Sequence, residues 1–133
     1  MKITRAADLV SNRGPAAYFT GVVRVDELAG AAAPGSAVRV VRVAFEPGAR
    51  TAWHTHPHGQ ILQILNGVAR VQRAGEPLLE VQAGDAVWFE PGERHWHGAA
   101  PGGPMVHLAV QLADAAGQNV TWLDHVTDAE YGA

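Results

Sequence analysis

Short runs of β-branched and aromatic residues alternate along this chain with turns built from Gly, Pro and Asn. That is the punctuation of antiparallel strands rather than helices. Tyr18 to Asp26 is the first predicted strand, and Glu27 to Ser36, rich in Ala, Gly and Pro, reads as a loop. Ala37 to Glu46 is a strand stopped by Pro47-Gly48. Gln60 to Leu65 is closed by Asn66-Gly67, the dipeptide that most favours a two-residue hairpin, and Val68 to Arg73 is its expected return strand. Leu78 to Val81 follows the Gly75–Pro77 turn, and Ala86 to Phe89 ends before Pro91-Gly92. Met105 to Leu112 and Val120 to Leu123 complete the set. In Met105 to Leu112 the period of two places His107, Ala109 and Gln111 on one face and Val106, Leu108, Val110 and Leu112 on the other. The uniformly apolar face is expected to pack on the core, and the mixed face to look into a cavity or solvent.

Only the tail signals helix. Thr127 and Glu130 have the spacing of a capping box, and so short a helix must pack on the rest of the fold. With no repeat and no linker, the pattern predicts one all-β domain over residues 1–133, a closed antiparallel barrel or double-sheet jelly roll.

Composition narrows the function more than the fold. There is no cysteine, which removes disulfides, thiolate metal sites and cysteine nucleophiles. The net charge is −3 and no Lys/Arg cluster is dense enough to neutralise a row of phosphates, so nucleic acid is not an expected partner. Met1 to Asn12 lacks the apolar core of a secretion signal, and no apolar run approaches the roughly 20 residues of a membrane span. The expectation is a cytoplasmic protein acting on a small molecule, with no membrane partner.

The chemistry concentrates in two His-x-His segments, His54-Thr55-His56 and His95-Trp96-His97. On an extended chain, residues two apart share a face with Cβ atoms about 6.5–7 Å apart, so two imidazoles can lean onto one ion. A neighbouring strand carrying a second such pair would complete the site. Gln60 opens a strand on which Leu62 and Ile64 share its inward face, and these two would form an apolar pocket wall. His97 is open to three readings: a fifth ligand, a surface histidine, or a free base that moves a proton beside the metal, the last being favoured. His107 lies in the pocket if the mixed face of its strand turns inward. Trp53, Trp88 and Trp96 read as packing or interface residues, His58 and His125 as exposed, and Arg39 and Arg42 fall on opposite faces of one strand.

These segments sit inside a longer pattern. Gly48, His54, His56, position 60 and Gly67 match the spacing of the first cupin motif, with Gln60 where that motif has an acid. Gly84-Asp85, Pro91-Gly92 and His95 match the second, with Glu90 where a proline is usual and no closing asparagine around Gly98 to Ala100. The chain therefore resembles the cupins. The resemblance implies a metal-holding barrel of six to eight strands, here about residues 37–113, often dimeric. The stretches 45–57 and 92–99, with Tyr18 to Gly21 and Asp124 to Asp128, are more specifically similar to the bacterial manganese-dependent cupin hydroxynitrile lyases. That likeness covers nearly the whole chain and departs at His58, a position usually apolar there. It implies His54, His56, Gln60 and His95 as ligands of one divalent ion, manganese, and Thr51 and His107 as pocket residues beside the catalytic His97.

Such a ligand set is uncharged, so the ion would keep its full +2 and act as a strong Lewis acid with two positions of an octahedron left open. Imidazole also accepts Fe, Zn and Ni. The expected activity is reversible cleavage of an α-hydroxynitrile. A metal-dependent dioxygenase and a non-catalytic binding cupin are the alternatives. Exposed Trp and Val on a small barrel predict a homodimer or homotetramer.

Overall fold

The computed structural model describes residues 1–29 and 37–132, so residues 30–36 of the predicted loop lie outside the described residues. The strands are β1 (Ser11–Arg13), β2 (Phe19–Thr20), β3 (Val23–Ala29), β4 (Val38–Phe45), β5 (Arg50–Thr51), β6 (His54–Thr55), β7 (Gln60–Asn66), β8 (Val68–Arg73), β9 (Leu79–Gln82), β10 (Ala86–Phe89), β11 (His95–Ala99), β12 (Met105–Leu112) and β13 (Thr121–Trp122), followed by the helix α1 (Asp128–Tyr131). They form two antiparallel sheets. One runs β1-β3-β4-β12-β7-β10; the other runs β13-β6-β11-β5-β2, with β8 on β11 and β9 on β8. The fold is the all-β jelly roll expected from the strand pattern. Among the described residues no helix is long and apolar enough to cross a membrane.

Three local expectations are corrected. The strand predicted over Tyr18 to Asp26 is two strands, broken at Gly21, whose φ is +80°. A side chain there would also meet the Ala49 backbone, its Cβ only 3.0 Å from Ala49 Cα. Beyond the break β3 runs on through Glu27 to Ala29, residues assigned to the loop. Asn66-Gly67 does not make a hairpin. β7 pairs with β10 and β12 in the first sheet, while β8 pairs with β9 and β11 in the second, so the chain changes sheets at Gly67. Gly67 has φ +80° and stands so close to the Pro104 carbonyl that a Cβ would lie 2.1 Å from its oxygen, which makes glycine obligatory at this corner. The real hairpin is the next one, β8 to β9.

The third correction concerns β12. Its mixed face is the buried one: His107, Ala109 and Gln111 are inside, whereas Val106, Leu108 and Val110 are half-buried and Leu112 is exposed. The inner face of the sheet carries Val23, Val41, Val43, Phe45, Leu62, Ile64, Met105 and Ala109, the core between the two sheets. Each large side chain there contributes roughly 1.5–3 kcal/mol by leaving water. The polar inner residues sit at one end of that core, and the core holds their backbone in place.

A second cluster, Trp53, Trp96, Val126 and Tyr131, fastens the C-terminal segment to the outside of the second sheet. The capping box of Thr127 and Glu130 starts α1. Tyr131 lies between the guanidiniums of Arg50 and Arg70, 4.7 and 4.9 Å from its ring centre, and donates to the Ala99 carbonyl at 2.7 Å.

Candidate metal centre

His54 lies on β6 and His95 opposite it on β11, in direct register. His56 follows β6 at the alternate position, and Gln60 enters from β7 of the other sheet. The rings converge: His54 to His95 is 4.3 Å between centres, His54 to His56 is 5.0 Å and His56 to His95 is 5.4 Å. Gln60 Oε1 is 3.2 Å from His95 Nε2. His95 is stacked on Phe89 at 3.7 Å, which fixes the plane of its ring.

Each of these three imidazoles is oriented by a main-chain carbonyl at Nδ1: His54 by Ala52 at 2.9 Å, His56 by Asn119 at 2.6 Å and His95 by Glu93 at 2.8 Å. A carbonyl only accepts, so each Nδ1 carries a proton. Burial pushes the basicity of all three down, His95 to about 3. The rings are therefore neutral and each Nε2 is a bare lone pair. For His56 burial is the leading cause; the hydrogen bond to the Asn119 carbonyl opposes it, and the positive charge of Arg39 adds to the lowering.

The Gln60 amide is oriented in the same way. Its nitrogen donates to Gln111 Oε1 at 2.8 Å, and Gln111 in turn donates to Asn119 Oδ1 at 2.6 Å, so the Gln60 oxygen faces the imidazoles. Among the described residues His56 Nε2 is buried with no hydrogen-bond partner. Several acceptors turned toward one point, with no donor among them, would repel one another and lose hydration. A cation relieves both costs, and carbonyl-anchored histidines are the usual surroundings of a metal. The donor set fits a divalent ion.

His97, two residues beyond His95 on β11, also faces inward. One nitrogen each of His54, His95 and His97 lie within 4.8 Å of one another, so these three are themselves a group able to hold an ion. His97 differs in its Nδ1 partner, which is not a carbonyl but His107 Nε2 at 3.0 Å. Its Nε2 is buried without a partner among the described residues. Burial lowers His97 well below its ordinary value, with the neighbouring imidazoles adding to the effect, and lowers His107 to about 4. Thr51 is buried beside them, its hydroxyl oxygen accepting the His97 main-chain N–H at 3.2 Å.

A cavity of about 270 Å³ opens onto this group. Thr51, His54, His56, Gln60, His97, His107 and Gln111 line its inner end, while His95 lies behind the wall. The apolar wall is Val25, Val41, Val43, Phe45 and Ala109. Leu62 and Ile64, expected there, share Gln60's inward face but are sealed in the core. Trp53 and Trp96 are packing residues as expected, whereas Trp88 is half-exposed on the outer face. His58 and His125 are exposed.

Sequence reasoning missed Trp122, which pairs across from His54, sits 4.9 Å from its ring and stacks on Tyr18 at the cavity mouth. The alternation of Val120 and Trp122, both lining the cavity, was the available signal. Asn119 carried none, because it anchors His56 through its backbone.

Comparison with known proteins agrees with this architecture. The family model described as "Cupin domain" matches residues 41–111. The chain is 51% identical over 131 residues to an (R)-mandelonitrile lyase of Granulicella tundricola, covering 98% of each. A cupin-like protein from Thermotoga maritima superposes with a TM-score of 0.83 at 39% identity, covering 90% of this chain and 89% of that one. A polyketide cyclase from Streptomyces resistomycificus shares the fold alone, with a TM-score of 0.74 at 19% identity over 98% of this chain and 90% of that one. With its two sheets, its inward histidines and these relatives, the chain belongs to the cupin family.

Proposed function

We propose that this cupin is a metal-dependent hydroxynitrile lyase that splits an α-hydroxynitrile reversibly into a carbonyl compound and hydrogen cyanide. In this reading His54, His56, Gln60 and His95 hold one divalent ion, manganese by likeness to the lyase family. The observation that carries it is the shared anchoring of the three imidazoles on carbonyls and of the Gln60 amide on Gln111, which leaves four neutral donors free for an ion. The 51% identity to the Granulicella tundricola (R)-mandelonitrile lyase supports the reaction class. When bound, the ion supplies an undiminished +2 charge that favours a negative oxygen over a neutral one.

His97 is kept out of the ligand set. Its Nδ1 contacts another imidazole, so the pair can pass a proton between them, and its free Nε2 faces the cavity. His97 Nε2 takes the substrate hydroxyl proton. The O–H electron pair forms the carbonyl, the carbon–cyanide bond breaks with its pair on cyanide, and the proton held by His97 and His107 passes to cyanide as HCN. Burial keeps the imidazole unprotonated at neutral pH, the form in which its Nε2 can accept a proton. Thr51 has its oxygen engaged by the His97 N–H, which leaves its own O–H to donate to a substrate oxygen. The valine and phenylalanine wall takes an aromatic or aliphatic body and excludes water.

The test is mandelonitrile cleavage by His97→Ala with metal content measured in parallel. A loss of about 10²–10⁴-fold in kcat with metal retained is expected for removing a general base. Full activity refutes the base assignment, and loss of the metal with the side chain makes His97 a ligand.

The outer face of the first sheet supports self-association. Val38, Ile61, Leu65, Trp88 and Leu112 are all exposed there, beside half-buried Val106, Leu108 and Val110. Such a contiguous apolar face fits a homodimer, or a tetramer built from it.

A further inference from the structure

β4 carries two arginines, each paired with an acid of β3, and the two pairs lie on opposite sides of the sheet. Arg42 meets Asp26 at 2.8 Å on the outer face. Arg39 meets Glu27 on the inner face, through Nη2 and through Nε at 3.3 Å, and both side chains line the cavity. The outer pair is an ordinary solvated ion pair. The inner one puts two opposite charges on the cavity wall, which Asn12 and Arg13 also line, and nothing in the ligand set or the proton path uses it.

Its position is set by register. Arg39 is directly opposite Gln111 on β12, and Gln111 directly opposite Gln60 on β7. Arg39 therefore lies in the same row of the sheet as Gln60, two strand spacings or about 10 Å away. A ligand whose reacting end meets the imidazoles and whose body lies along Val41 and Ala109 points its far end at this pair. Arg39 spends Nε and Nη2 on Glu27, and its Nη1 has no hydrogen-bond partner among the described residues. Each Glu27 oxygen keeps a second lone pair.

We propose that Arg39 and Glu27 form a distal polar subsite that selects substrates carrying a neutral hydroxyl at the end remote from the reacting carbon, ring-hydroxylated aromatic α-hydroxynitriles and aldehydes above all. A hydroxyl accepts from Arg39 Nη1 and donates to Glu27 in one contact. A carboxylate satisfies the guanidinium but is repelled by Glu27, and an unsubstituted ring desolvates the pair and returns nothing. This identification of the substrate class rests on the lyase reading; the subsite itself rests on the geometry.

The experiment measures binding and turnover separately on the metal-loaded protein. Calorimetry compares 3- and 4-hydroxybenzaldehyde with benzaldehyde and 4-carboxybenzaldehyde, at mildly acidic pH to keep the phenols neutral. Steady-state rates compare 4-hydroxymandelonitrile with mandelonitrile. In the wild type at least one hydroxylated aldehyde should bind about tenfold or more tightly than benzaldehyde, a modest factor because water reaches the pair. The ratio should fall to near one in R39L/E27L, which removes both charges together, and stay at its wild-type value in R42L/D26L, which removes the outer pair. A wild-type ratio near one, a ratio that survives in R39L/E27L, or tightest binding by 4-carboxybenzaldehyde overturns the proposal. Selective binding without cleavage of any cyanohydrin leaves the subsite standing and refutes the lyase.

Discussion

Lowering the pH of the metal-stripped protein loads protons onto imidazoles that the fold holds neutral. His95 and His107 fall from an ordinary value of 6.5 to about 3 and about 4, chiefly because burial disfavours their charged forms. His54, His56 and His97 are lowered for the same leading reason. The unfolded chain binds these protons near pH 6.5 and the folded chain does not. The stability they contribute is therefore complete above 6.5 and lost as pH falls toward the folded values. One pKa unit is about 1.36 kcal/mol, so by pH 4 His95 and His107 each remove about 3 kcal/mol. Their sum of about 6 kcal/mol already equals the whole stability of many domains, roughly 5–15 kcal/mol, and three more histidines act in the same direction.

Urea unfolding followed by tryptophan fluorescence, repeated from about pH 7.5 down to about pH 4.5, reads this directly. Stability should be flat above about pH 6.5 and then fall by several times 1.36 kcal/mol per pH unit, since several protons are taken up on unfolding. The metal-loaded protein should resist further into acid, because the ion competes with the protons. Asp26 and Glu130 are held below their ordinary values, so the loss of their interactions comes later on acidification. A stability that stays constant down to pH 4.5 and breaks only in the carboxylate range would refute the claim that these rings are buried and neutral.

Gln111→Leu should release the Gln60 amide and weaken metal binding about 10–100-fold without unfolding the barrel, as read by competition with a chelating dye; unchanged affinity would show that Gln60 needs no orienting partner. Gly98→Ala places a Cβ 2.4 Å from the Ala49 carbonyl oxygen and 2.7 Å from Arg50 Cα. Where β11 crosses β5 neither backbone can yield easily, and a loss of about 1–3 kcal/mol is expected in thermal unfolding. Ile61→Glu with Trp88→Glu should lower the mass seen by light scattering to that of one chain, 14.1 kDa; an unchanged larger mass would place the contact elsewhere.

The sequence by itself determined the fold class, most strand positions and the residues that gather at the site. Alternation marks strands wherever one side is buried, so Met105 to Leu112 and Val68 to Arg73 emerge with the observed ends. His-x-His places two rings on one face through the period of two alone, and the spaced glycines around those pairs are legible without coordinates. Tertiary structure decided what depends on a second strand. Asn66-Gly67 has hairpin chemistry, yet the Pro104 carbonyl lying against Gly67 turns it into a crossing between sheets. The apolar face of β12 faces outward because the second sheet covers the other face, where His107 meets His97 and Ala109 joins the core. Asn119 and Ala52 orient ligands through main-chain carbonyls, which every residue possesses, so no sequence signal marks them. Arg39 and Arg42 look equivalent until register puts one with Glu27 inside the cavity and the other with Asp26 in solvent. Periodicity is local and can be read along one chain, whereas which strands become neighbours is a property of the closed fold.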